Sequence, residues 1–213
     1  MAQLTTTSYA LLALLARRPW TAYDITQYMK LSPLRRVWPK AESRIYAEPK
    51  RLLTEGLAEA NEQYNGKRKS TVYSITDAGR EALSQWLKSP SGHLEYKYEI
   101  LVKLLSADHG TREDVRALLD EAKEQALLEA QLLREGLEIV LEQGFKMPEM
   151  AEFNTWIMRF IIRDVQGRLQ WIAEMRQRLP ELAAKAPGGD EAKARKIYHE
   201  EIQYLDQLLE RDW

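Results

Sequence analysis

The chain opens with a dense apolar run. Residues 8–16, SYALLALLA, have Thr5, Thr6, Thr7 and Ser8 as candidate N-cap oxygens, and they predict a short helix that Pro19 ends. In residues 22–30, Ile25 and Met29 stand four apart, which places them on one face of a second helix. Residues 31–40, with prolines at 33 and 39, predict a loop. A third helix is predicted over about 41–55, with Ile45, Leu52 and Leu53 as its apolar face, Leu57 just beyond in the core, and Gly56 as its C-terminal cap. The period then changes. Residues 58–64 and 71–75 carry β character on either side of Asn65-Gly66, a dipeptide suited to a hairpin turn because both central positions need φ > 0. Residues 77–88 are helical again, and 89–93, SPSGH, read as a linker.

Everything after the linker follows the helical period. One helix is predicted over 96–106. A long one runs from an N-cap at Thr111 to about 143, with apolar positions 115, 118, 119, 122, 126, 133, 137, 140 and 141. Pro148 opens another, which carries Phe153, Trp156, Ile157, Phe160, Ile161, Val165, Leu169 and Ile172. KAPGGD at 185–190 breaks the chain. A last helix over 191–211 aligns Ile197, Tyr198, Ile202, Leu205, Leu208 and Leu209 on one face, so it is expected to be packed rather than a tail. The expected division is 1–90 and 91–213.

Charge sharpens this division. The 213 residues have a net charge of −1, but residues 1–88 hold 14 Lys/Arg against 8 Asp/Glu, and the remainder holds 17 against 24. A basic first half joined to an acidic second half suggests a polyanionic partner for the first half alone, although an uneven scatter of charge would look the same. The absence of cysteine excludes disulfides and cysteine metal sites and fits a reducing cytoplasm. YALLALLA is too short to cross a bilayer and has no cationic lead-in, so a soluble cytoplasmic protein without a signal peptide is expected.

Three helices followed by a two-stranded hairpin is the layout of a winged helix-turn-helix, in which a helix enters the major groove of DNA. Lys67, Arg68 and Lys69 follow the hairpin turn. A rigid two-stranded arm would present them together to phosphates. The bland alternative is a solvated turn. The stretch SRIYAEPKRLLTEGLAEANEQYNGKRKSTVYSITDAGREAL resembles the PadR family of transcriptional regulators. It carries Ile45-Tyr46, Lys50-Arg51-Leu52, Glu55-Gly56-Leu57, the basic wing, and Tyr73-Ser74-Ile75-Thr76-Asp77-Ala78-Gly79-Arg80. ALLALLARRPWTAYDI is similar to the family's Leu-rich first helix and to the Tyr that opens its second, here Tyr23. The sequence departs from the family at Ala22, at Ala47 and at Pro49, which is expected to remove one helix hydrogen bond and bend the third helix.

The resemblance implies a mainly α protein: an N-terminal winged helix-turn-helix DNA-binding domain with one β-hairpin, then antiparallel long helices forming a dimerisation domain. The implied partners are double-stranded DNA, a second copy of the chain and a small-molecule effector, and no cofactor or membrane is implied. The candidate DNA-binding residues are Lys40, Ser43, Arg44, Tyr46, Lys50, Lys67, Arg68 and Lys69. Arg44 is the candidate for a bidentate guanine contact, and Tyr46 is either a phosphate neighbour or a core residue. Trp156, Phe160 and Trp171 either line an effector pocket or pack the dimer core. His93, His109 and His199 have no metal-ligand spacing, and neither a phosphate-binding Gly loop nor a nucleophile elbow is present, so no enzyme is indicated. The resulting reading is a dimeric, cytoplasmic repressor acting at a palindromic operator. A competing reading is a protein-interaction adaptor built on the same module, which would have no need of three adjacent wing cations.

Overall fold

Thr5 sets the start of the first helix, α1 (Thr6–Leu15). Its hydroxyl accepts from the Ser8 backbone N–H, and the Ser8 hydroxyl accepts in turn from the Thr5 N–H, a reciprocal capping box. The computed structural model containing this helix describes residues 4–32, 34–39, 41–65, 68–181 and 191–211. Lys40 and Lys67 lie outside the described residues, and Arg68 is described by its backbone alone.

After α1 the chain forms β1 (Trp20–Thr21), α2 (Ala22–Leu31), α3 (Leu34–Val37), α4 (Glu42–Thr54), β2 (Ala58–Asn65), β3 (Arg68–Ile75) and α5 (Asp77–Lys88). The sheet order is β1-β3-β2, antiparallel throughout, so the last strand of the hairpin is central. Two of these elements depart from the sequence expectation. β1 is not legible in the sequence, because two residues leave no alternation to read. α3 occupies the stretch expected to be a loop. Asn65 also belongs to the strand, paired with Arg68, rather than to the turn.

The end of α4 is closed by Gly56 at φ 73°. The Leu57 N–H bonds Leu52 O at 2.9 Å and the Gly56 N–H bonds Leu53 O at 3.1 Å, the two bonds of a Schellman cap. The Thr76 hydroxyl then donates to Gly56 O at 2.8 Å and accepts from the Gly79 N–H at 3.1 Å, so one side chain caps α5 and ties it to the end of α4. A Cβ at Gly79 would stand 2.2 Å from Leu57 O, and this close approach requires glycine.

The chain packs as two units. The first consists of residues 1–94 and 136–161. Its core is built from Leu11, Leu12, Leu14 and Leu15 of α1, Trp20, Ile25 and Met29, Ile45 and Leu52 of α4, Ala58 and Ile75, and it also takes in Met147 from far along the chain. The Tyr28 hydroxyl is hydrogen-bonded to Asn154, and burial nevertheless pushes its phenol pKa up. Leu53, expected in the core, is exposed because it lies on the outward side of α4.

The second unit consists of residues 95–135 and 162–213. It contains α6 (Glu99–Leu105), most of α7 (Arg112–Gln143), the second half of α8 (Ala151–Arg178) and α9 (Glu191–Leu209). Ile100, Leu119, Ala122 and Ile172 form its core, with Tyr98, Val115, Leu118, Trp171 and Met175 against it. Arg168 bonds Glu129 at 2.6 Å and Asp164 at 3.1 Å, and Arg176 pairs with Asp120. Positions on α8 rise as their partners on α7 fall, so the two helices are antiparallel. The expected apolar face of α7 is buried only in part: Leu119, Ala122 and Ala126 are enclosed, whereas Leu137 and Leu141 are exposed. α9 is helical, but none of its residues is buried, so among the described residues the expected packing of its apolar face is at most partial.

Candidate nucleic-acid interface

α2 and α4 pack on each other, and Lys30 near the end of α2 pairs with Glu42 at the start of α4 at 2.9 Å. α4 is amphipathic in a specific way. Ile45, Pro49 and Leu52, spaced i, i+4, i+7, are buried. Ser43, Tyr46 and Lys50, spaced i, i+3, i+7, lie exposed on another face, and Arg44 is exposed beside them. Tyr46 is 58% exposed, which removes the core reading for that residue. The helix runs on through Pro49, whose ring belongs to the buried side. A missing N–H there takes a bond from the Ile45 carbonyl, while the ring fills core volume.

The hairpin supplies the second arm. Lys69 lies opposite Tyr64 in the ladder and forms an ion pair with Glu62 on the neighbouring strand at 2.5 Å. Both side chains of that pair are more than half exposed, so the pair contributes at most about 1 kcal/mol and can be exchanged for a phosphate contact. The cations Arg35 and Arg36 on α3 are exposed as well. The sequence expectation puts them in a loop, although Pro33 just ahead of Leu34 is a helix-opening signal. Arg80 donates to Ala16 O at 3.3 Å and so ties α5 to the end of α1.

The three aromatic residues considered for an effector pocket fall in different units. Trp156 and Phe160 share one stripe of α8 in the first unit and are 62% and 58% exposed. Trp171 packs on the core of the second unit. An apolar cleft of about 480 Å³ in the second unit is lined by Ala130, Val165, Leu169 and their neighbours, without these aromatics. Among the described residues no cluster of His, Cys, Asp or Glu could hold a metal ion, and no helix is long and apolar enough to cross a membrane.

Residues 11–85 match the model of the Transcriptional regulator PadR-like family, and residues 96–180 match Virulence activator alpha C-term. A curated relative, the negative transcriptional regulator PadR of Bacillus subtilis, is 38% identical over 80 residues, which are 37% of this chain and 43% of that protein. The match thus spans less than half the length of that relative. The crystal structure of Bacillus subtilis PadR in complex with operator DNA has a TM-score of 0.72 at 23% identity, over 82% of this chain and 99% of that one. The same protein in complex with p-coumaric acid gives 0.66 at 22% identity, over 84% and 99%. The Vibrio cholerae virulence activator AphA gives 0.62 at 24% identity, over 84% and 100%. These likenesses establish a shared fold: a winged helix followed by long C-terminal helices. Residues 11–85 thus belong to the PadR-like family of transcriptional regulators, and the shared fold extends over most of the chain.

Proposed function

We propose that this protein is a homodimeric, cytoplasmic repressor that binds a palindromic operator and is released by a small-molecule effector. Residues 1–90 read DNA in this proposal, and residues 91–213 carry dimerisation and the effector response. The observation that carries it is the exposed face of α4. Ser43, Arg44, Tyr46 and Lys50 stand outward on a helix whose other side is locked into the core, next to a hairpin bearing Lys69. A helix fixed from behind with polar and cationic groups in front can enter a major groove without rearranging. Arg44 reads a base edge, while Lys50, Tyr46 and the wing cations meet phosphates.

Two features support a dimer. Leu127, Leu128 and Leu132 on α7 are exposed, and so is the apolar face of α9, and both surfaces call for cover by a second chain. The two heads would then meet half-sites about one helical turn, ~34 Å, apart. The B. subtilis relative, whose crystal structures include complexes with operator DNA and with p-coumaric acid, supports an operator and an effector of this kind.

Gel shift against the DNA upstream of the protein's own gene, across a salt series, tests the proposal. Replacing Lys67, Arg68 and Lys69 with Ala should weaken binding to every sequence and shallow the slope of log K against log salt by about 0.9 for each phosphate that is no longer neutralised. Arg44→Ala should instead relax discrimination at one base position by about 1–3 kcal/mol. Absence of binding at low salt by a folded dimer would refute the proposal.

A further inference from the structure

α4 carries a carboxylate, Glu48, on the side that packs toward α1. Glu48 lies one turn after Arg44 and borders a cleft of about 290 Å³ together with Arg44, Arg51, Trp38 and the threonines at positions 5 and 7. It is not a solvated charge, since its side chain is only 13% exposed. Its Oε1 accepts the Ser8 hydroxyl at 2.6 Å and Arg51 Nη1 at 3.0 Å, and Arg51 Nη1 also reaches Ser8 Oγ at 3.3 Å. Ser8 is fully buried and is the residue whose hydroxyl completes the cap of α1. The three side chains form a closed triangle that fixes the middle of α4 to the first turn of α1. A second bond, from Trp38 Nε1 to Thr7 Oγ1 at 3.0 Å, holds the approach to α4 to the same turn.

We infer that Glu48 is a positioning residue that sets operator specificity by holding α4 against α1, while its charge, which balances Arg51, moderates attraction to all DNA. The inference rests on the DNA-binding reading given above. Two physical effects act together. First, hydrogen bonds to a partly buried carboxylate are short and directional, so they fix the lateral position of α4 and hence where Arg44 and Tyr46 point. Second, the carboxylate offsets Arg51. Without it the N-terminal unit gains one net positive charge, which attracts any phosphate backbone and favours all sequences alike. The carboxylate therefore lowers affinity for every sequence by a similar factor, and discrimination depends on the first effect, the placement of Arg44 and Tyr46.

The test uses the full-length protein, one operator fragment selected from a random library and one scrambled fragment of the same length. Glu48→Gln keeps an acceptor for Ser8 and removes the charge. It should bind the scrambled fragment more tightly, steepen its salt slope by up to about 1, and reduce the operator-to-scrambled ratio roughly tenfold. Adding Arg51→Gln to Glu48→Gln should return the slope to the wild-type value, which a merely structural role would not do. Ser8→Ala reaches the same triangle from the other side. It should lower the ratio while leaving the salt slope unchanged, because the charges remain, and it stands as the test should Glu48→Gln fail to fold by circular dichroism. A wild-type ratio in folded Glu48→Gln, or in Ser8→Ala, overturns the inference. Failure of the wild-type protein to bind either fragment overturns the DNA-binding reading itself, and the two failures are thereby separated.

Discussion

Met147 lies between α7 and α8, more than fifty residues beyond the linker at 89–93, yet it is 2% exposed and packs in the core of the winged helix. Met147→Ala removes three heavy atoms from that core. At ~0.8 kcal/mol for each buried methylene-sized group the transfer loss is about 2.4 kcal/mol, and the cavity left behind raises this to about 3 kcal/mol, within the range for Met→Ala in cores. The loss should be local to the first unit, because Met147 belongs to that unit's core. Native-state hydrogen exchange can read this unit by unit. A loss of 3 kcal/mol corresponds to about a hundredfold faster exchange for the most protected amides of α1 and α2. Amides of Leu119, Ala122 and Ile172 should keep their wild-type rates. Phe153→Ala, at an exposed position of the same unit, serves as the control and should leave both sets unchanged. If Met147→Ala leaves α1 and α2 protected as in the wild type, the winged helix does not depend on Met147, and residues 1–90 would be a complete folding unit. If it does depend on Met147, a fragment of residues 1–90 should melt below the corresponding part of the full chain.

Gly79→Ala should cost more than 2 kcal/mol in thermal melts, because the added Cβ meets a backbone oxygen at 2.2 Å that no rotamer change can relieve. Asp114 accepts from the Thr111 hydroxyl and backbone N–H, which hold its carboxyl below the ordinary range. The cap of α7 is therefore fully present above the unfolded carboxylate pKa of about 3.9 and lost as pH falls through the lower folded value, and Thr111→Ala should move Asp114 up toward the ordinary value in an NMR titration. Ile202→Glu together with Leu205→Glu, in the exposed face of α9, should shift sedimentation toward monomer at micromolar concentration without changing helix content. An unchanged dimer would place the interface elsewhere.

The legible parts of this protein are those encoded by neighbours in sequence. The 3.6 period of the helices, Gly56 behind α4, Thr76 ahead of α5 and the hairpin around residue 66 all act within a few residues. Most can be read within a residue or two of where the chain puts them, but β3 starts at Arg68 rather than 71, α6 starts at Glu99 rather than 96, and the register moves Asn65 from turn to strand. The outward residues of α4 are legible for the same reason, since burying Ile45 and Leu52 leaves positions 43, 46 and 50 on another side. Pairings across distance are what a local pattern does not encode. Trp20 looks like the end of a turn, and only its partner Tyr73 makes it a strand. Met147 looks like a loop residue before Pro148, and Glu48 like one more surface charge until Ser8, forty residues away, reaches it at 2.6 Å. α9 fails in the opposite direction. Its apolar face is a true periodic signal, but periodicity says that a face will be covered and not by which chain.

The same distinction decides how the wing works. Three cations after an Asn-Gly turn suggest a fixed positive tip, but the described part of that tip is already occupied: Lys69 is paired with Glu62 across the strands. An exposed pair of this kind is worth at most about 1 kcal/mol, because water screens the charges and two long side chains must be held in place. A DNA phosphate brings the release of condensed counterions, which the carboxylate cannot offer. Lys69 should therefore leave Glu62 when DNA arrives, and Glu62, left facing the backbone, should then oppose binding. Glu62→Gln removes that opposition and the initial pairing together, so it should tighten binding to all sequences by a similar factor and leave operator discrimination unchanged. This contrasts with Glu48→Gln, which should lower discrimination. Both are acidic residues of the N-terminal unit, and both mutations remove one negative charge. A common increase in affinity with different effects on discrimination would separate a charge that only modulates attraction from one that also holds the reading helix in place. Loss of discrimination in Glu62→Gln would mean that the wing's carboxylate has a positioning role too, and that the hairpin is more than an arm for phosphates.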